Sequence, residues 1–322
     1  MASLNGSLLE ADSKWLEPID VNHQKRSFLS RFAAEIFQSC SPGQVADRGP
    51  IFRQADKILS LALNRSGGNL LARPVESLDE IKAAFLLTYR EYVQRGYCQA
   101  DLCELHFSVY SLLPESRVIV LKQDQSLIGT ISLIIDSSMG LPMEAQYSDE
   151  VNQFRKPGRK LAEVGLLALD SKVFPRGHFS LTNIKKQHAL FALFKGMFDQ
   201  ARQAGVTDLM IAMHPKHRLL YTYLLFETIG AIKKYRGARD NLAIPMRLDV
   251  PKFAKVKAVN TQYFFAEAQR SNHGSFSWDT DSVRQLLRLK QSLQVSREQK
   301  NLLQELYPGL CDQSILGQLE IA

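Results

Sequence analysis

In this 322-residue chain, the side chain best placed to do chemistry is one acid in an otherwise apolar run: Glu163, within KLAEVGLLALD at 160–170. A carboxylate inside a strand is costly unless it is paired or useful. Period-two alternation puts Glu163, Gly165, Leu167 and Leu169 on one face and Val164, Leu166 and Ala168 on the other. That first face sets a carboxylate beside a glycine, where a substrate backbone can approach closely. The competing reading is an ion pair between Glu163 and Arg159 or Lys160 at a solvated strand end. Tyr221, in KHRLLYTYLLFETIGA at 216–231, is a phenol suited to a leaving thiolate; the competing reading is a packed core tyrosine. His214 and His217 flank Pro215 as proton relays or simple caps. Acyl transfer to an amine needs such a set. The donor is held beside the nucleophile, a base removes the ammonium proton, and donors meet the oxyanion and the departing sulfur. A positioned base contributes ~10²–10⁴-fold.

These residues need a scaffold, and the hydrophobic patterning supplies one. Strand-like runs at 160–170, 208–215 and 241–250 alternate with helical patterns at 183–205 and 216–231. Upstream, 117–136 reads as a hairpin with a polar turn. LLARPVES (70–77) reads as a first strand, with Ser77 as helix cap and Glu80 closing a capping box. The helix that follows carries Ile81, Phe85, Leu86, Tyr89, Tyr92 and Val93 on one stripe and breaks at Gly96. Segment 137–159, with Gly140, Pro142, Pro157 and Gly158, reads as a mobile loop over a site. Residues 1–69 form an N-terminal helical extension, with Phe28, Phe32, Ile36 and Phe37 at helical spacing and the joint RSGGN at its end. The α/β core spans 70–250, and 251–322 is a C-terminal helical region in which Ser296 and Gln299 cap the last helix.

Composition narrows the class. A hydrophobic content of 45% with 23% charged residues suits a globular protein. No stretch reaches the ~18–20 apolar residues of a membrane span. The amino terminus lacks the basic start and apolar middle of a secretory signal, so a cytoplasmic location is expected. Cys40, Cys98, Cys103 and Cys311 are too sparse for a disulfide framework, and no zinc-ligand spacing or other metal set is present. No nucleic-acid-binding motif occurs. The net charge of +7 includes two basic clusters, Arg155, Lys156, Arg159, Lys160 and Lys233, Lys234, Arg236, Arg239. They would meet an acidic partner or form ordinary solvated surface.

Several segments carry a resemblance: TYREYVQRGYC at 88–98, GRKLAEVGLLALD at 158–170, GVTDLMIAMHPKHRLLYTYLLFETIGA at 205–231 and RLDV at 247–250. In order and spacing, over residues 70–310, the chain resembles the FeeM-type N-acyl amino acid synthases, GNAT-fold acyltransferases related to the autoinducer (acyl-homoserine lactone) synthases. The resemblance implies a mixed, mostly antiparallel sheet with splayed central strands, between terminal helical extensions. It implies transfer of a long acyl chain from an acyl carrier protein to the α-amine of an amino acid, without a tightly bound cofactor. Glu163 and Tyr221 would be catalytic, and Tyr89, Arg90, Arg95 and Tyr97 acceptor-binding. Gly165, Leu167, Arg176, Gly177 and His214 would line the acyl-pantetheine path, with the two basic clusters as the carrier-protein dock. The chain departs from the family at Gly165 and Leu166, where serine and arginine are usual, and at Leu225, where glycine is common. Acceptor carboxylate binding then falls to Arg90 or Arg95. The loop at 171–183 carries only Gly177, which favours a carrier protein over coenzyme A, whose pyrophosphate prefers a glycine-rich turn. The alternatives are a coenzyme A-dependent acetyltransferase, an autoinducer synthase using S-adenosylmethionine, and a non-catalytic acyl- or partner-binding module.

Overall fold

The computed structural model describes residues 56, 60, 70–174, 181–256, 263–264, 275–290, 293–310 and 320–321, with backbone alone at 181–184, 219 and 320–321. The expected N-terminal extension therefore lies outside the described residues apart from Asp56 and Ser60, as do Arg176, Gly177 and most of TQYFFAEAQ. From Leu70 the order is β1 (Leu70–Pro74), α1 (Leu78–Arg95), β2 (Arg117–Gln123), β3 (Ser126–Ile135), α2 (Glu144–Asn152), β4 (Leu161–Leu169), α3 (Leu181–Gln203), β5 (Asp208–Met213) and α4 (Arg218–Tyr223). There follow β6 (Glu227–Thr228), β7 (Lys233–Tyr235), β8 (Asn241–Asp249), α5 (Val250–Ala254), α6 (Thr280–Leu289), β9 (Gln294–Val295), α7 (Arg297–Leu306) and β10 (Glu320–Ile321).

An eight-stranded sheet runs β1-β2-β3-β4-β5-β8-β6, with β7 also on β8. Its pairs are antiparallel except β4–β5. Both faces are covered, which explains the near-continuous apolar strands. Ile119 and Leu121 of β2 pack toward α3 with Leu193, Phe194 and Phe198. Val118 and Val120 face α1, α6 and α7 with Phe85, Leu286 and Leu303.

Local rules account for several boundaries. Ser77 caps α1 by accepting from the Glu80 N–H, and Gly96 ends the helix at φ 72°. The expected box at Ser77 is not closed, because the Glu80 carboxylate turns to Arg73, Lys122 and the Glu76 N–H. At Ser296 the reciprocal box with Gln299 does form. The C-terminal helices reach back into the sheet domain. Buried Lys290 donates to the Leu105 carbonyl at 2.7 Å and to Asp101 at 3.1 Å. Tyr307 donates to the Leu112 carbonyl, and Gln299 to the Tyr110 hydroxyl.

Three expectations are corrected. Segment 137–159 is not an open loop: it contains α2, anchored by buried Tyr147 and Val151, with the Tyr147 hydroxyl donating to the Ala243 carbonyl. The aromatic segment 216–231 is helical only through Tyr223; Leu225 takes φ 66°, and β6 begins at Glu227. The alternation on β4 also fails halfway. Leu166 has φ 50°, and the β3–β4 register slips between Thr130 and Ser132. One inserted residue reverses the facing of all that follow. Leu167 and Leu169 therefore pack with Ala162 and Val164 toward α3 rather than sharing the face of Glu163.

Candidate active site

Strands β4 and β5 pair only over three positions, Leu161↔Asp208, Ala162↔Leu209 and Glu163↔Met210. Beyond Glu163 they part, leaving the β5-facing edge of β4 without a strand partner. The closed end is held by charge. Asp208, fully buried, accepts from Arg159 Nε and Nη2 and from Arg247 Nε, each at 2.6 Å. Both arginines also reach Asp249 on β8. Arg159 is thus committed away from Glu163, and Lys160 pairs with Glu115 at 3.0 Å. The competing ion-pair reading of Glu163 is thereby set aside.

Glu163 is 5% exposed and faces no cation among the described residues. Its Oε2 accepts from the Met143 N–H at 2.7 Å, just before α2. Burial pushes its pKa up to about 8; the Met143 hydrogen bond opposes that rise, and the nearby Glu144 charge adds to it. The surrounding cluster is Ile134, Leu161, Met210 and Tyr147, and the phenols of Tyr110 and Tyr235 lie within range of its charge.

Where the strands separate lies a cavity of about 480 Å³. Residues 163–169 of β4 and residues 211–214 at the end of β5 line it. A Cβ at Gly165 would meet nothing within 4 Å, so the space beside it is open. Tyr221 lines the cavity with its ring edge-on to Phe194 and Phe226, and burial raises its pKa, so the phenol stays protonated. The core packing expected as the competing role and the cavity exposure coexist. His214 Nδ1 accepts from the Lys216 N–H, capping the turn that precedes α4.

Of the four residues expected to hold the acceptor, two reach the cavity. Arg95 and Tyr97 line it. Arg95 is paired with Glu91 at 2.6 Å, while the buried Tyr97 hydroxyl has no hydrogen-bond partner among the described residues. Tyr89 points elsewhere and binds both peptide groups of Asp101; Arg90 pairs with Asp170 at 3.2 Å. Sequence reasoning missed Tyr92, His106 and Asn241, which complete this end of the cavity. His106 is held neutral, its pKa lowered to about 4 by burial and the Lys290 charge. The signal for Tyr92 was present in the helical stripe; His106 arrives through the irregular 97–108 segment, which has no periodicity to read.

Half of the residues in the two basic clusters are spent internally. Arg155 is chelated by Asp136 and Glu144, and Lys233 by Glu150 and the Tyr147 ring, so with Arg159 and Lys160 they are not free surface charges. Lys156, Lys234, Arg236 and Arg239 are exposed without acidic partners among the described residues. No three His, Cys, Asp or Glu side chains converge as a metal set among the described residues. No described helix is long and apolar enough to cross a membrane.

A parallel β4–β5 pair that splays beside a buried acid, inside an otherwise antiparallel sheet, defines a GNAT-type acyltransferase fold. Residues 83–249, just over half the chain, match the family model described as N-acyl amino acid synthase FeeM. The chain belongs to that family and is an N-acyltransferase. The structure of FeeM, an N-acyl amino acid synthase from uncultured soil microbes, is 28% identical with a TM-score of 0.50, covering 58% of this chain and 94% of that one. The AHL synthase LasI (13% identical, TM-score 0.42) covers 64% of this chain and 100% of its own. An N-acetyltransferase from Staphylococcus aureus Mu50 (14%, 0.37) covers 56% and 98%. No curated protein matches the sequence.

Proposed function

We propose that the chain joins a long-chain acyl group, delivered as an acyl carrier protein thioester, to the α-amine of an amino acid. The observation that carries this reading is a buried, cation-free carboxylate on the wall of a 480 Å³ cavity, at the point where β4 and β5 part. The α-ammonium of an amino acid is largely protonated near neutral pH, and Glu163, raised to about 8, is a much stronger base toward it than an ordinary carboxylate. The freed nitrogen attacks the thioester carbonyl carbon, and the unpaired peptide N–H groups along β4 are suitably placed to receive the oxyanion. The C–S bond then breaks, and the second proton of the attacking nitrogen passes to the departing sulfur or to solvent, leaving the neutral amide and a thiol. Tyr221 is harder to ionise than a thiol, so it stabilises the departing sulfur by hydrogen bonding rather than by surrendering its proton.

Arg95 is the acceptor-carboxylate candidate that reaches the cavity, and Tyr97 and Asn241 offer polar contacts beside it. Arg90 does not line the cavity and pairs with Asp170 instead. The carrier-protein dock narrows to Lys234, Arg236 and Arg239, which alternate in sequence with the cavity-lining Tyr235, Gly237 and Ala238. An acidic carrier surface set there would deliver its arm to the opening. The apolar walls formed by Leu167, Leu190 and Leu220 suit an alkyl chain. The test is incubation with long-chain acyl carrier protein and mixed amino acids, with mass spectrometry of products. N-acyl amino acids support the reading; turnover with acetyl-coenzyme A alone overturns it in favour of an acetyltransferase.

A further inference from the structure

The Glu163 hydrogen bond depends on a turn that nothing in the apolar cluster around the acid fixes by itself. Met143, whose N–H donates to Glu163, precedes α2. The chain entering that helix is tied at Glu144, whose Oε1 accepts from the Leu141 N–H at 2.5 Å. Glu144 is gripped by Arg155 from the far end of α2, with Nη1 to Oε2 at 2.7 Å and Nη2 to Oε1. The same guanidinium reaches Asp136, just after β3, with Nε and Nη2 at 2.9 and 2.8 Å. One arginine thus joins the end of β3, the start of α2 and the segment leading into β4. It also neutralises the acid that stands beside Glu163.

We propose that Arg155 is the positioning residue of the catalytic acid, fixing the Met143 N–H on Glu163 and cancelling the charge of Glu144 next to it. This rests on the reading of Glu163 as base. The groups that face Glu163 are few: Glu144 and the Met143 N–H from the start of α2, Tyr110 from the turn before β2, and Tyr235 at the end of β7, with apolar Ile134 and Met210 on the neighbouring strands. Without Arg155, Glu144 would present an uncompensated negative charge to a low-dielectric site, and ionisation of Glu163 would become harder.

The experiment follows Glu163 in two ways in the full-length protein. Its carboxyl is titrated by carbon NMR after glutamate labelling, with Glu163→Gln giving the assignment, and kcat/KM for acyl transfer is measured against pH. Arg155→Met should raise the NMR midpoint by about one unit, and the rising limb of the rate profile should move with it. Glu144→Gln keeps the Leu141 contact and should lower both. The double variant Arg155→Met/Glu144→Gln should return both close to their original positions. A uniform loss of rate with an unmoved NMR midpoint, or a double variant no better than Arg155→Met, overturns the proposal. If the NMR midpoint moves while the rate profile stays still, Arg155 does tune Glu163 but Glu163 is not the base. In that case the proposed mechanism, rather than the bracket, has failed.

Discussion

At the closed end of the β4–β5 pair a buried carboxylate, Asp208, is met by two guanidinium groups; at the open end, Glu163 is buried with none. The two acids sit on adjacent strands, yet their surroundings commit them to different work. Asp208 and its register partner Asp249 would repel across the β5–β8 pair, and Arg159 and Arg247 turn that repulsion into a clamp. The clamp holds the strands together where they must pair, so that they can separate further along. Glu163 has no cationic partner among the described residues and a raised pKa, which costs stability and, in the proposed mechanism, suits proton transfer near neutral pH.

Substitutions sharpen this contrast. Glu163→Gln should lower kcat/KM by ~10²–10⁴-fold with the fold intact, because glutamine still accepts from Met143; steady-state kinetics with a circular dichroism control measures it. Asp208→Ala should do the reverse. It leaves Arg159 and Arg247 with an unmatched buried partner site and should cost about 3 kcal/mol in urea unfolding. Its rate per folded molecule should fall far less than that of Glu163→Gln. The pH dependence separates them again. The folded pKa of Glu163, about 8, lies above its ordinary value of 4.5, so the native state holds a proton that the unfolded chain releases. Stability from this group is complete below about 4.5 and is lost as pH rises through 8. Thermal melts of wild type and Glu163→Gln should therefore diverge with rising pH in favour of the variant, while kcat/KM of the wild type rises over the same range. The smallest effect belongs to Tyr97→Phe. Removing a buried hydroxyl without a partner should leave stability unchanged or raise it by up to about 1 kcal/mol, while KM for the acceptor increases.

How much of this was legible in the sequence depends on the range of the interactions involved. A lone acid in an apolar run marks a buried carboxylate whatever surrounds it, and the sequence was enough to single out Glu163. The box at Ser296–Gln299 rests on neighbours three residues apart, and the hairpin at 117–136 on a turn closed between Gln123 and Ser126, so both were equally readable. The bulge at Leu166 was not, because it is imposed by pairing with β3 and leaves no mark in the apolar pattern. α2 was hidden for a different reason: of EAQYSDEVN only Tyr147 and Val151 are buried, too few to draw a stripe. Arg90 and Arg95 looked equivalent in the sequence, yet five helical steps turn them about 140° apart. One faces Asp170 and the other the cavity. Which members of the basic clusters pair internally was not readable, because positive charge in a sequence does not reveal which acids fold onto it.

The ties from Lys290, Gln299 and Tyr307 have a consequence for any shortened form of the chain. The strip from Asp101 to Leu112 contributes His106, Phe107 and Ser108 to the cavity, and it is propped by residues that leave the ribosome almost two hundred positions later. A chain lacking residues 290–307 would keep its sheet and Glu163 while this wall lost its support, so the cavity's shape depends on contacts made far along the sequence.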